Sequence, residues 1–467
     1  MRHDLSRRHA TQATTSIALL LALAAAPAEA QSLVDLYRSA QGYDAVYQGA
    51  RAQYAASVAR AAQARAGILP AVGVTAGASF TEQDLTTDNN SLSRGFNAQN
   101  AGINATQPLY RPANWAAYQQ SKRQEEIARA QLTLAEQDLV VRVSQAYFDV
   151  LASQDSLALV RAQKIGVAEQ LASAKRNFEV GTSTITDTRE AQARFDLVVA
   201  QEIAAENDLQ VKKIVLDQLV GQAGSVPTPL AAPVVLPVVT PSDVNAWLTQ
   251  AEAGHPAIVQ ATLGVEVAEL EVRKAEAGHK PTLDAQLGYN VTNNPQGTTT
   301  SISTGKVRVH AASIGVVFNL PLFAGFATEN RVRETLALED QSRSALDNTR
   351  RNVSVSTRAA FLGLMSGASQ VKALEAAEAS SQVALDANRL GYQVGVRINI
   401  DVLNSQSQLF QTKRDLALAR YNVLLGDLRL RQANGTLTPD ALVALNATLA
   451  LDGRPAVDST APVARPR

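Results

Sequence analysis

The chain repeats itself once, at an offset of 211 to 214 residues. Residues 176–187, Arg-Asn-Phe-Glu-Val-Gly-Thr-Ser-Thr-Ile-Thr-Asp, align with 390–401, Leu-Gly-Tyr-Gln-Val-Gly-Val-Arg-Ile-Asn-Ile-Asp, so that Gly181 matches Gly395 and Asp187 matches Asp401. Pro108 matches Pro321, Ala146-Tyr-Phe matches Ala360-Phe-Leu, and Pro70 matches Pro281. Solenoid repeats run to about 20–50 residues, so this period marks a two-fold duplication of a whole subdomain. Both halves are expected to fold alike: residues 31–224 as the first structural repeat and 241–452 as the second. Pro227, Pro229, Pro233 and Pro237 make 225–240 an extended linker. Residues 453–467 carry three prolines and no periodicity, and read as a disordered tail.

Residues 1–30 stand outside the repeat. Arg2, Arg7 and Arg8 precede an apolar run from Ser16 to Ala26, and Ala28-Glu-Ala30 is a small-x-small cleavage site. The pattern is that of a signal peptide, with the mature chain starting at Gln31. The whole chain has 43 basic and 43 acidic residues. Removing the signal leaves the two totals within one of each other, so no global charge attracts nucleic acid or anionic lipid. There is no cysteine, hence no disulfide framework, no thiolate metal site and no lipidated N-terminal cysteine. After residue 30 no apolar run reaches the ~20 residues of a spanning helix. An exported chain of this kind is either soluble or a β-barrel, because only helices and closed barrels satisfy backbone groups in lipid.

Most of the mature chain reads as helix. From Pro112 to about Glu179 there is no further proline and only one glycine, Gly166, in a segment dense in good helix formers. Leu132, Leu139, Val143, Ala146, Val150, Leu157 and Val160 follow the spacing of a coiled-coil seam. At 1.5 Å per residue this helix is about 100 Å long. The second half repeats it over 327–390. Helices of roughly half that length are expected at 32–66, 185–221, 242–278 and 399–433. Gly181 and Gly395 close the long helices, and Thr186-Asp187 and Asn399-Ile-Asp401 supply capping chemistry to the helices that follow.

Four segments have period two instead. They are 71–80, 99–106, 283–291 and 312–322, each apolar on one face and small or polar on the other. Val72, Val74, Ala76, Ala78 and Phe80 oppose Gly73, Thr75, Gly77 and Ser79; Leu283, Leu287 and Val291 oppose Asp284, Gln286 and Asn290. Such alternation over about ten residues is the signature of transmembrane barrel strands. Polar loops are expected at 82–95 and 293–306. Four strands cannot close a barrel, and open edges are not tolerated in lipid, so the chain must oligomerise.

These segments closely resemble the TolC family of outer-membrane channels across 31–451. The stretches that carry the resemblance are 180–196, Val-Gly-Thr-Ser-Thr-Ile-Thr-Asp-Thr-Arg-Glu-Ala-Gln-Ala-Arg-Phe-Asp, then 391–404, Gly-Tyr-Gln-Val-Gly-Val-Arg-Ile-Asn-Ile-Asp-Val-Leu-Asn, then Ala417-Leu-Ala-Arg-Tyr-Asn422 with Gly435-Thr-Leu437. The resemblance implies a membrane α+β fold: a homotrimer with a twelve-stranded outer-membrane barrel, four strands per chain, continuous with a long periplasmic α-helical coiled-coil barrel. It implies an exit duct for small molecules or proteins in a tripartite efflux or type I secretion system. The implied partners are a periplasmic adaptor (membrane fusion) protein, an inner-membrane pump of RND, ABC or MFS type, and outer-membrane lipid. By position, Thr186 and Asp187 fall on the acceptor side of a gate at the periplasmic tip, and Tyr392 and Arg397 on the donor side. Asp401 matches the first of two constriction aspartates, but the second position is Asn404. Half the family's ring charge implies milder cation selectivity. The repeat itself marks the same place: Tyr392 aligns with Phe178 and Arg397 with Ser183, beside a shared aspartate.

Enzyme chemistry finds no support in the residues. His255, His279 and His310 form no HExxH or i, i+4 pair, and there is no GxSxG, P-loop or GxGxxG. No cofactor and no metal are expected. The alternative is a soluble periplasmic coiled-coil scaffold, which has the helices but no need of lipid-facing strands.

Overall fold

The computed structural model describes residues 31–87, 90–231, 234, 236–296 and 305–447. Residues 1–30 and 453–467, read above as signal and tail, lie outside the described residues, as does 297–304 of the second polar loop. Residues 49–134 and 256–352 form one compact unit, and the other described residues form a second. Each unit draws segments from both halves of the duplication.

The first of these units holds the sheet. Strands β1 (Ala71–Thr87), β2 (Asn90–Tyr110), β3 (Thr282–Asn294) and β4 (Val307–Asn319) lie in the order β1-β2-β3-β4, all antiparallel. The register pairs Ala105 with Leu287 and Leu287 with Ile314, so the apolar residues of successive strands share one face. That face is bare: Val74 is 76 % exposed and Ile314 85 %. The opposite face interlocks. A Cβ on Gly77 would lie 2.8 Å from the Asn100 Oδ1, and one on Gly102 equally close to the Asn290 Oδ1. Glycine therefore faces asparagine across the ladder, and the polar side chains lie flat against the sheet. Edges β1 and β4 have no neighbouring strand among the described residues.

The strands outrun the alternating segments. Most of the expected loop 82–95 is strand: residues 82–87 and 90–95 continue the ladder from Glu82↔Gly95 to Thr87↔Asn90, and 88–89 lie outside the described residues. Backbone hydrogen bonds carry a hairpin on past its apolar alternation, so hydropathy marks where such a strand is greasy rather than where it ends. The expected strand 312–322 overshoots instead. β4 stops at Asn319, since Pro321 lacks a donor, and Gly325 and Phe326 at φ of +60° and +64° turn the chain. At the opposite end of β2, Pro108 interrupts the ladder and a register shift follows before Tyr110. Arg111 then clamps Asp284 on β3 with its Nε at 2.7 Å and Nη2 at 2.6 Å, a two-point bond that fixes the second hairpin against the first.

Helices α1 (Leu33–Tyr43) and α2 (Ala45–Arg65) stand where one helix was expected, as do α5 (Val244–Gly254) and α6 (Pro256–Glu276). The breaks fall at Asp44 and His255, equivalent positions in the repeat, for different reasons. Asp44 caps α2, accepting from the Tyr47 N–H at 2.8 Å, and its carboxylate pairs with Arg142 at 2.9 Å. Those Arg142 bonds hold the Asp44 carboxyl below its usual range. His255 precedes Pro256, which disfavours helical backbone at the residue before it. The 3-10 turns 66–68 and 277–279 lead into the hairpins.

The second unit contains most of α3 (Pro112–Glu179) and α7 (Ala327–Gln393), with α4 (Ile185–Val220), α8 (Asn399–Ala433) and a short α9 (Asp440–Asn446) that no periodicity announced. The α3 seam is buried at Leu139, Val143, Ala146, Val150, Leu157 and Val160, while Leu132 at its start is half-buried. Leu33, Leu36, Leu216 and the α8 residues Leu424 and Leu428 are buried in the same unit. Two buried tyrosine hydroxyls have partners. Tyr147 donates to the Thr228 carbonyl at 2.7 Å, pinning the linker, and Tyr421 donates to Asp155 at 2.6 Å. Burial pushes the Asp155 carboxyl up, against the hydrogen bond from Tyr421.

Candidate functional site: the two helical hairpin turns

All the sequence-derived site residues lie in the second unit, on two turns of the same backbone design. The first joins α3 to α4. Gly181 sits at φ +80°, and the Thr182 N–H reaches back to the Asn177 carbonyl at 2.8 Å. The second joins α7 to α8, with Gly395 at φ +78° and the Val396 N–H on the Gly391 carbonyl at 2.8 Å. This is helix termination by a left-handed residue, a conformation that favours glycine.

The start of the next helix distinguishes the halves. In the first turn the cap is Thr184, not Thr186. The Asp187 N–H donates to the Thr184 Oγ1 at 3.2 Å, and the Thr184 N–H donates back to the Asp187 Oδ2 at 3.0 Å, a reciprocal capping box. The Thr184 hydroxyl adds a bond of 2.8 Å to the same carboxylate oxygen. Thr186 is exposed. In the second turn the cap position is Ile398, which has no side-chain acceptor. Asp401 therefore has no box, and its cation is Arg397, one turn back, at 3.6 Å. Arg397 folds over Gly391: a Cβ there would lie 2.7 Å from the Arg397 Cγ.

Within the chain the expected acceptor and donor sides do not meet directly. Asp187 bonds Thr184, Arg397 bonds Asp401, and the Tyr392 hydroxyl accepts from Asn177 Nδ2 at 3.0 Å. Both carboxylates sit at the third helical position, where the nearest donors are local, and local partners fill first. The turns are joined by other groups. The side chain of Asn399, also named as a cap, is buried, accepts from Gln170 Nε2 and reaches the Asp187 carbonyl at 3.5 Å. Arg194 Nη2 donates to the Asn404 Oδ1 at 2.9 Å. Val167, Leu171, Ala174, Ala191, Val198 and Leu403 form the apolar cluster beneath. Beside it Gly166 admits α8: a Cβ there would collide with the Gln406 side-chain amide. Sequence reasoning missed Arg194, although its spacing of seven from Asp187 puts both on one helix face.

A four-stranded sheet with a bare apolar face and open edges, and duplicated helical hairpins, define a class: the membrane-inserted export channels. The sequence model described as outer membrane efflux protein matches residues 36–222 and 247–436, one match to each half. The chain belongs to that family. It is 30 % identical to outer membrane protein TolC of Vibrio cholerae serotype O1 over 90 % of this chain and 94 % of that one. It is 28 % identical to the proteases secretion protein PrtF of Dickeya chrysanthemi over 92 % and 94 %. Among solved structures, the outer membrane protein VceC from Vibrio cholerae superposes with a TM-score of 0.73 at 20 % identity, covering 86 % of this chain and 96 % of that one. A membrane protein from Pseudomonas aeruginosa gives 0.76 at 18 %, covering 88 % and 92 %.

Proposed function

We propose that this chain is the outer-membrane exit duct of an efflux or type I secretion system. The observation that carries the reading is the open four-stranded sheet with its unpartnered apolar face. Lipid tolerates no free strand edge, and three copies joining β1 to β4 give a closed twelve-stranded barrel. The glycine–asparagine face then lines a polar lumen, and Ile314, Leu287 and Val74 meet lipid. The helical hairpins extend into the periplasm, where an adaptor protein and an energised inner-membrane pump engage the channel. A soluble scaffold gives the apolar face no role.

At rest the hairpin turns hold the periplasmic end closed. Because Asp187 and Arg397 each bond within their own turn in the single chain, the closing links run between copies, from Arg397 and Tyr392 to the Thr186-Asp187 edge of a neighbour. Asp401, with Asn404 one turn on, rings the narrowest point. Family membership and the difference between the two caps support this assignment. Mass measurement of the detergent-extracted complex, with membrane fractionation, tests the duct: a trimer in the outer membrane is expected, and a monomer released with the periplasm would overturn it.

A further inference from the structure

The charges beside Asp401 do not form a simple acidic ring. Asn404 lies three residues further along α8, on the same helix face. Its side-chain oxygen is held at 2.9 Å by the Arg194 guanidinium from α4. Arg194 has no carboxylate within ion-pair distance among the described residues, so its charge is not neutralised locally. Asp401, in turn, has the Arg397 guanidinium at 3.6 Å. Arg397 and Arg194 thus bring two guanidinium groups to the neighbourhood of the Asp401 carboxylate.

We infer that Arg194, held in place by Asn404, is a selectivity-determining residue of this channel: it sets a positive ring one helical turn from the Asp401 ring and offsets its preference for cations. The inference rests on the proposed placement of Asp401 and Asn404 at the constriction. The physical argument is short-range electrostatics. A unit charge within about 6 Å of a permeating ion changes its local concentration on the order of three-fold even at the dielectric constant of water. Three symmetric copies multiply the effect, and salt at 0.1 M screens it only beyond about 10 Å. An amide at 404 accepts from Arg194 without cancelling its charge, whereas a carboxylate there would form an ion pair with it.

The test is the reversal potential of single channels in planar bilayers under a potassium chloride gradient, using purified full-length protein. The expected results are a small reversal potential for the parent channel and a shift towards the potassium equilibrium potential, by at least about three-fold in the permeability ratio, for Arg194→Gln. Asn404→Asp, which neutralises Arg194 by an ion pair, is expected to shift it about as far as Arg194→Gln does, and the double variant further than either. Arg194→Lys should behave as the parent, which separates charge from packing. If Asp401→Asn moves the reversal potential and Arg194→Gln does not, the role of Arg194 is overturned while the constriction reading stands. If neither moves it, with normal oligomer yield, the constriction reading falls and this inference with it.

Discussion

Replacing Gly391 by alanine separates the gate from the stability of the helices that carry it. Gly391 lies inside α7 with helical backbone, so alanine should stabilise the helix by about 0.5–1 kcal/mol per copy on propensity alone. The added Cβ, however, falls 2.7 Å from Arg397 Cγ and 3.4 Å from its Cβ. Those atoms are at the root of the side chain, so a change of terminal rotamer cannot relieve the contact and the whole guanidinium must leave its seat. Both links of Arg397 then weaken, the one to Asp401 and the proposed one to a neighbouring Asp187. An exposed ion pair contributes ~0–1 kcal/mol. Three symmetric copies give up to ~3 kcal/mol, and since ~1.4 kcal/mol is tenfold in a population, the open fraction rises by as much as about 100-fold. Single-channel conductance of the isolated channel and sensitivity of cells to large antibiotics are the readouts, with thermal stability of the oligomer measured alongside. Arg397→Ser, which copies the first-half residue into the second half, should raise conductance similarly. Gly391→Ala should add nothing in that background. Unchanged conductance in both single variants at normal oligomer levels, or full additivity in the double variant, would refute the reasoning.

Arginine at Leu287 or Ile314 should cost ~2–4 kcal/mol near the bilayer midplane and reduce barrel assembly, whereas arginine at Gln286 on the opposite face should be tolerated; heat-modifiable mobility of the oligomer on gels checks this. Asp44→Ala removes the α2 cap and leaves Arg142 with Asp138 at 2.6 Å as its remaining partner, so a loss of about 3 kcal/mol is expected in denaturant titrations. His255 is buried, and burial lowers its pKa against a hydrogen bond to the Gln432 backbone. The unfolded chain therefore binds the proton more tightly than the folded one. The stability held by the neutral ring is complete above about pH 6.5 and is lost as the pH falls from there towards the lowered native value. Thermal midpoints measured from pH 7 to pH 5 should fall in the parent protein and less in His255→Gln.

The fold was legible wherever a one-dimensional pattern maps directly onto one face of an element. The seam from Leu139 to Val160 and the alternation from Leu283 to Val291 are such patterns. What escaped were places where pairing or a single residue decides. The β1–β2 ladder runs to Thr87 and Asn90 through residues with no apolar rhythm, because strand pairing is a property of two backbones. The helix breaks at Asp44 and His255 sit at matched positions, but one depends on a partner 98 residues away and the other on the next residue in the chain.

At the hairpin turns the division is clearest. The sequence by itself determined the duplication, the glycine bends, the shared aspartates and the asymmetry at Arg397, because these are identities at aligned positions, and a left-handed glycine needs nothing beyond its own backbone. It also pointed to Thr186 as cap chemistry, two residues too late. Only the tertiary structure decided that Thr184 and Asp187 close a reciprocal box, that Ile398 leaves Asp401 without one, and that Arg194 reaches Asn404 from another helix. Hydrogen bonds at 2.8 to 3.2 Å depend on atom positions to a fraction of an ångström. Across a span of 210 residues those positions are set by the packing of Val167, Leu171, Ala191 and Leu403 beneath the turns, which no local pattern encodes.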